Sequence, residues 1–517
     1  MSNINHSTHH SGSQAETISF LTRLAPTVIE THISLVFLDE QYAYKLKKAL
    51  SLSFVDFSQV ERRIYYCHEE LKLNRRTAPD LYLEVLLIYR NLKGELSFED
   101  DGQSDVIDAV IKMRRFDNQH LLSTLAEKNQ LTPQIMTQLA HDLADFHSKA
   151  EVSSDHQGAK RLGDIVELNK LSEPRVNQIL GHGKMSELNQ LLLKDITQHA
   201  AILNSRAAES KVRHCHGDLH LNNICLWHKV ATPFDCLEFN ESMATTDVLY
   251  DLAFLLMDLW RYQQYELANC LMNRYMEQSK ETDGLVLLPL FMSLRASIRA
   301  MVIALQASNT KDHIAAEQHR QQAEKFLSLA FTLLKRPKPQ LVAVGGLSGS
   351  GKSTLATALA PYIGAAPGAR VLSTDRIRKR LFNVAAEEKL AAESYTEASS
   401  NMVYRSQREQ CAAVVLAGHS AIADGVFGKD WERKAIEQCA KDLKANFNGI
   451  WLEAPPSKLM TRVANRKNDP SDATVEIVEK QLQREYGVIN WPHLNSAQAL
   501  NVLTSQALSL LKGQWPW

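Results

Sequence analysis

The sequence predicts a two-domain chain of mixed α/β and α+β class. A mostly β lobe is followed by a larger helical lobe, and then by a parallel sheet flanked by helices. Three observations support this. Strand-like runs fill the opening part of the chain. Helical periodicity takes over from about residue 133. Beyond Arg336-Pro337-Lys338-Pro339-Gln340, strand and helix alternate in the βαβ rhythm of a parallel sheet. Prolines at 337 and 339 cannot continue a helix, so the chain divides there. The expected layout is a disordered tail over 1–16, a first domain over 17–335, a linker over 336–340 and a second domain over 341–517.

Each element has its own signal. Ser34–Leu38 and Ala43–Lys47 read as strands joined by the turn Asp39-Glu40-Gln41. A helix is expected over Ser58–Leu73 with Ser58 as its N-cap. Leu86–Tyr89 and Val110–Arg114 read as further strands. Met136, Leu139, Leu143 and Phe146 fall on one helical face, and helices dominate again over 249–335. In the second domain the strand-like runs are 341–345, 370–374, 420–424 and 448–453.

Composition excludes several classes. At 517 residues the chain is too long for one ordinary domain, and its 44% hydrophobic content lets each part bury a core. Lys plus Arg (58) nearly balances Asp plus Glu (59), so no basic surface excess points to nucleic acid or an anionic membrane. The seven cysteines are scattered without a CxxC pair, which fits reduced thiols in a cytoplasmic setting. Residues 1–16, rich in Ser, His and Asn, lack the apolar segment of a secretory leader. The apolar stretches Leu252–Leu259 and Leu285–Leu294 are too short to cross a bilayer.

The strongest motif is Gly346-Leu347-Ser348-Gly349-Ser350-Gly351-Lys352-Ser353-Thr354. It fits G-x-x-x-x-G-K-[ST] between an expected strand and an expected helix over Thr354–Tyr362. Glycines let backbone N–H groups turn inward around phosphates, and the helix N-terminus adds a favourable dipole. Lys352 is expected at the β- and γ-phosphates and the Ser353 hydroxyl on Mg²⁺. Asp375, at a strand's C-terminal tip, is placed to take the proton of an acceptor hydroxyl. Arg378 is placed to hold an anionic substrate, and Asp424, ending the next strand, to join the Mg²⁺ shell. Arg462 and Arg466 are expected on one helix face before the turn-rich loop Asn468-Asp469-Pro470-Ser471-Asp472-Ala473, as a lid that clamps the moving phosphoryl group. Residues 341–490 resemble the small P-loop kinases, the group of gluconate kinase-like, zeta-toxin-like and adenylate-kinase-like enzymes. The resemblance implies a five-stranded parallel sheet and ATP or GTP chemistry, and leaves the acceptor open.

The second motif is His216-Gly217-Asp218-Leu219-His220-Leu221-Asn222-Asn223, of the form H-x-D-x-x-x-x-N. Asp218 would orient or deprotonate an acceptor hydroxyl, and Asn223 would ligate Mg²⁺. Asp235 supplies the second metal carboxylate, with Glu238 competing for that role. Lys45 or Lys47, two apart on one strand face, would meet the nucleotide phosphates. Glu70 is the preferred partner of that lysine, with Glu61 and Glu69 as alternatives. With Tyr250-Asp251-Leu252-Ala253 downstream, the motif resembles the aminoglycoside and choline phosphotransferases. Their protein-kinase-like bilobal fold would cover roughly 17–335, with Asp251 bracing the catalytic loop. No G-x-G-x-x-G loop, D-F-G or A-P-E appears, which argues against a protein kinase.

The order of the two regions is similar to that of a family of bacterial bifunctional proteins described as aminoglycoside phosphotransferase-like/ATP-binding. That resemblance implies ATP use in the cytoplasm but neither substrate. The leading expectation is a bifunctional small-molecule kinase, each domain moving a γ-phosphoryl group from a Mg²⁺–nucleotide to a hydroxyl substrate. Two other readings stay open: an active P-loop kinase joined to a degenerate nucleotide-binding regulator, and a toxin-like kinase of nucleotide sugars. The sequence is silent on oligomeric state.

Overall fold

The computed structural model describes residues 14–52, 55–181, 183–386, 388–466 and 470–511. Most of the expected tail, 1–13, lies outside them, as do Asn468 and Asp469 of the expected lid loop. Residues 14–16 are not tail: they open the helix Gln14–Leu24. The reason is polar anchoring. The buried Gln14 amide donates to Lys47 O at 2.8 Å and accepts from Ala49 N at 2.7 Å.

Packing divides the chain into two compact units that do not follow chain order. One joins residues 1–156 to 207–255, and the other joins 157–206 to 256–517.

The first unit holds a six-stranded antiparallel sheet. Its order is Thr27–Glu30, Ser34–Leu38, Tyr42–Lys47, Asp105–Arg114, Tyr82–Arg90, Leu96–Ser97. Strand alternation decides which side chains meet which layer. Tyr44 and Leu46 pack with Leu21, Phe37 and Val110 beneath the helix Gln14–Leu24. Ala43 points the other way, into a cluster with Cys67, Tyr82 and Ile111 beneath the helix Val60–Asn74. Lys45 and Lys47 share the Ala43 side, so both reach that helix. The helix is capped at Gln59 and not at Ser58. Ser58 is drawn back instead, giving both its N–H and its hydroxyl to Asp56 Oδ1. The expected apolar face at Met136, Leu139, Leu143 and Phe146 is buried, on the helix Pro133–Lys149 capped by Thr132. Two short antiparallel ladders, Val212–His214 with Thr245–Asp247 and Ile224–Trp227 with Val230–Pro233, frame the segment His216–Asn223.

The second unit has a helical part and a sheet. The helices Gly158–Leu180, Lys184–Gln198, Tyr265–Ser279, Leu288–Asn309 and His313–Leu333 form the former. The apolar run Leu285–Leu294 belongs to a longer helical stretch, Asp283–Asn309, of mean hydropathy 1.7 in its most apolar window. That stretch is long and apolar enough to cross a membrane, but 72% of the window is buried inside the protein, as a core helix is. The last helix of this part stops at Leu333, ahead of Pro337, and the sheet begins at Gln340.

That sheet is five-stranded and parallel, in the order Arg370–Ser373, Ala421–Asp424, Gln340–Gly346, Asn446–Glu453, His493–Asn495. Its central strands bury Val342, Val344, Ile422 and Ile450 against Leu355, Leu359 and Leu503 of the covering helices. The crossover order reverses beside Gln340–Gly346, so the strand tips there open a ligand crevice.

A buried ion pair ties the helix Val60–Asn74 to the strand Asp105–Arg114. Arg63 donates to both oxygens of Asp108 at 2.8 and 3.0 Å, and Gln14 adds a third bond to that carboxylate. Removing one partner strands the other charge in the interior. Asp108→Ala should therefore cost about 3–5 kcal/mol, seen as a lower urea midpoint for the N-terminal unit. Replacing Arg63 and Asp108 together by apolar residues should cost less.

Candidate active sites

The first centre is built from charges that pair before anything else can use them. Lys45 Nζ lies 2.7 Å from Glu70 Oε1 and 2.5 Å from Asp235 Oδ1. Lys47 Nζ lies 2.6 Å from Glu70 Oε2 and also contacts Glu238 Oε1. Glu70 thus takes one lysine on each oxygen, and the two lysines diverge from it. Lys45 leads to the part-exposed Asp235, and Lys47 to the buried Glu238. Of the alternatives open in the sequence, Glu61 is exposed, and the half-buried Glu69 pairs with Lys72 on its own helix. Glu238 is committed to Lys47, which leaves Asp235 as the carboxylate on the open side.

The pairing sets the protonation states. Burial works against ionisation of Glu70, but the ammonium groups of Lys45 and Lys47 hold its carboxyl well below its ordinary value. Burial also works against both lysines, and their carboxylate neighbours outweigh it and keep them charged. Glu238 is pushed upward, chiefly by burial and further by Glu70.

The loop His216–Asn223 is held from three sides. Asp251, fully buried, accepts from His216 N at 3.2 Å and Gly217 N at 2.9 Å. His147 Nε2 lies 3.1 Å from the same carboxylate. The expected bracing role of Asp251 is visible in these bonds. Gly217 sits at φ +82°, where a Cβ would lie 2.9 Å from Leu237 Cβ, so the tight turn needs glycine. Asn223 donates to Asp218 Oδ2 at 2.9 Å, bringing the two motif ends together. His220 stands 3.4 Å from the same oxygen and edge-on to Phe254.

Residues that the sequence reading missed complete the frame. Asn74 Oδ1 accepts from Cys236 N at 2.9 Å, and Tyr82 Oη accepts from Asp235 N at 3.2 Å. Asp235 itself has φ +62°. Arg76 donates to the carbonyls of His214 and Cys215, fixing the entry to the loop His216–Asn223. All three framing side chains are far from the motifs in sequence, so no spacing pattern marks them.

The second centre lies at the tips of the parallel strands, around a cavity of about 1340 Å³. The loop Gly346–Ser353 leaves the central strand and feeds the helix Lys352–Leu359. Gly349, at φ +81°, passes so close to the helix Pro456–Ala464 that a Cβ would meet Leu459 O at 2.5 Å. Ser353 Oγ donates to Asp424 Oδ2 at 2.7 Å, so the two residues expected to share an ion lie side by side. Lys352 Nζ reaches Leu347 O at 3.1 Å across the loop. Leu347 packs against Leu459, Val463 and Val478, while Thr354 lines the cavity with Ser348, Gly349, Ser350 and Gly351. Asp375, in the first turn of the helix Thr374–Leu381, lines the same cavity. Burial pushes the Asp424 carboxyl upward, Asp375 adds to this, and Lys352 and Ser353 oppose it. Hard oxygen donors gathered beside a buried acid suit a Mg²⁺ ion.

Arg378 is buried with its guanidinium 4.7 Å over the Tyr395 ring, and donates to Ser394 O at 2.8 Å. Arg462 donates to Gly349 O at 3.3 Å and Ser496 O at 2.7 Å. Arg462 and Arg466 both line the cavity but do not share a helix face. The helix Pro456–Ala464 ends at Asn465, so Arg466 lies past it. The described part of the expected lid is latched: Asp472 accepts from buried Lys379 at 2.7 Å, from Tyr395 Oη and from Leu390 N. Gln481 accepts from Ser348 N at 2.9 Å, and Gln407 spans the carbonyls of Leu372 and Asp424.

Two family models match parts of the chain. Residues 67–271 match the model of a phosphotransferase enzyme family, and residues 341–486 match that of an AAA domain. The chain joins two kinase-family domains, an N-terminal phosphotransferase-type domain and a C-terminal P-loop domain. It is an ATP-dependent phosphotransferase. An uncharacterized protein of Mycobacterium tuberculosis (strain ATCC 25618 / H37Rv) is 28% identical over 468 residues, which cover 89% of this chain and 90% of that protein. A gluconokinase from Sinorhizobium meliloti 1021 is 20% identical, covering 34% of this chain and 93% of that one, with a TM-score of 0.25. A choline/ethanolamine kinase family protein from Mesorhizobium loti is 12% identical, covering 62% and 99%, with a TM-score of 0.36.

The Glu70 pairing has a pH signature. Its folded pKa is depressed below the ordinary 4.5, so its contribution to stability is full above that value and is lost as pH falls through the folded one. Wild type should be more stable than Glu70→Gln at neutral pH. Urea unfolding down to about pH 3 should show the gap closing. A gap that widens on acidification would contradict the assignment.

Proposed function

We propose that the chain is a bifunctional small-molecule kinase. Each domain moves a γ-phosphoryl group from MgATP to a hydroxyl acceptor. The reading rests chiefly on two independent sets of side chains, each complete for the task. The first combines Lys45, Glu70, Asp218, Asn223 and Asp235. The second gathers Lys352, Ser353, Asp375, Arg378 and Asp424 around one cavity. Because the first set retains its lysine–glutamate pair, its catalytic-loop acid and its candidate metal ligands, we read it as active and not as a degenerate regulator.

In the first domain Lys45 holds the nucleotide phosphates and Glu70 holds Lys45. Asp218 takes the acceptor proton as the acceptor oxygen bonds the γ-phosphorus. The bond from that phosphorus to the bridging oxygen breaks, and ADP leaves. In the second domain the loop amides and Lys352 cradle the phosphates, Asp375 takes the proton, and Arg462 and Arg466 flank the moving group. Asn223 and Asp235 would hold Mg²⁺ in one centre, and Ser353 and Asp424 in the other. The ion supplies charge neutralisation on the phosphate oxygens. Buried Arg378 favours an acceptor that carries an anionic group. All seven cysteines are unbridged, which supports a cytoplasmic protein.

Labelled ATP and a cell metabolite extract test this on the full chain. Lys352→Ala should slow transfer at the second centre by about 10²–10³. Asp218→Asn should silence the first centre alone. Transfer that survives both substitutions unchanged would refute the proposal.

A further inference from the structure

The helix Tyr265–Ser279 begins inside the region matched by the first family and ends outside both matches. It packs within the second unit, along the edge strand Arg370–Ser373 of the parallel sheet. An edge strand presents unpaired backbone groups that must be covered. Here side-chain amides cover them. Asn269 donates to the carbonyls of Pro367 and Ala369 at 3.1 and 3.0 Å. Asn273, one turn on, donates to Ala369 O at 3.2 Å and accepts from Val371 N at 2.8 Å. Arg370, buried in the same seam, gives its guanidinium to Asn273 Oδ1 at 2.7 Å and Asn273 O at 2.8 Å.

Glu277, a further turn on, continues this row. Its carboxylate bonds Arg274 on its own helix at 2.5 Å and Arg376 at 3.2 Å. Arg376 stands in the first turn of the helix Thr374–Leu381, next to Asp375 and two residues before Arg378. Arg370 and Arg380 also face Glu277, and the four arginines outweigh burial in keeping it ionised. The row therefore runs from the sheet edge to the helix that presents the acceptor-side residues.

We propose that Glu277 is a positioning residue of the P-loop centre. Through Arg376 it fixes the helix turn that carries Asp375 and Arg378, so the acceptor end is set by a helix outside the P-loop sequence match. This rests on the reading of Asp375 and Arg378 given above. It differs from a covering role: Asn269 and Asn273 close the sheet edge, whereas Glu277 touches the acceptor helix itself.

Amide exchange in the full-length protein tests it, comparing wild type, Glu277→Gln, Arg376→Gln and the double variant, each with its affinity for a non-hydrolysable Mg–ATP analogue. Each single variant should raise exchange over Thr374–Leu381 by about tenfold. Nucleotide affinity should be unchanged, and the double variant should be no worse than the more affected single, because both singles remove the same Glu277–Arg376 contact. Unchanged exchange in that helix, or an additive double variant, would overturn the proposal. So would exchange that rises throughout 341–511 with loss of nucleotide affinity, since Glu277 would then brace the whole fold. Exchange is read without turnover. A chain with the expected exchange but no Lys352-dependent transfer would refute the kinase reading and leave the positioning contact standing.

Discussion

Charge taken out of water must be paired, and a site for a polyphosphate must nevertheless keep cations and carboxylates close together. Both centres are organised by this constraint. In the first, Glu70 neutralises two lysines at once, and Glu238 completes the deeper pair so that Lys45 alone leads outward to Asp235. In the second, the buried acid Asp424 is satisfied by the Ser353 hydroxyl and by Lys352 nearby. Without these pairings neither set of charges would hold its place in a packed interior.

The two folds meet the same chemical need by different means. The N-terminal domain gathers its charge on side chains. Its loop His216–Asn223 needs rigid backbone, which Asp251 supplies by gripping the amides of His216 and Gly217. The P-loop domain presents backbone amides from a glycine-rich turn. Its side chains chiefly neutralise and clamp, and close packing of Gly349 on Leu459 O fixes the turn. The parallel sheet pairs Ser373 with Asp424 at neighbouring strand tips, and Asp375 follows in the first turn of the helix Thr374–Leu381, so the fold itself brings the two carboxylates to one cavity.

Local signals were legible in the sequence, and distant pairings were not. The glycine loop, the H-x-D-x-x-x-x-N loop and the central strands each occupy a short window with its own periodicity. Lys45 and Lys47 were readable as one strand face because the period of two is intrinsic to the backbone. Glu70 was readable as the expected glutamate of the following helix. Which lysine faces outward was not, because Glu238 lies far along the chain and decides it only after folding. The fifth strand, His493–Asn495, escaped notice because three polar-flanked residues carry no alternation. Gln14 looked like tail because its anchoring bonds go to Lys47 and Ala49. Arg466 looked helical because a four-residue spacing fits a helix, while nothing local announced the cap at Asn465. Compact units that interleave along the chain are likewise invisible to a scan for linkers.

The proposal of two phosphate-binding centres on one chain makes a direct demand on stoichiometry. Titration calorimetry of the full-length protein with a non-hydrolysable ATP analogue and Mg²⁺ measures it. Two equivalents per chain are expected, with one lost in Lys352→Ala and the other in Lys45→Ala. A single equivalent in wild type, or two that persist in both variants, would contradict the two-centre account.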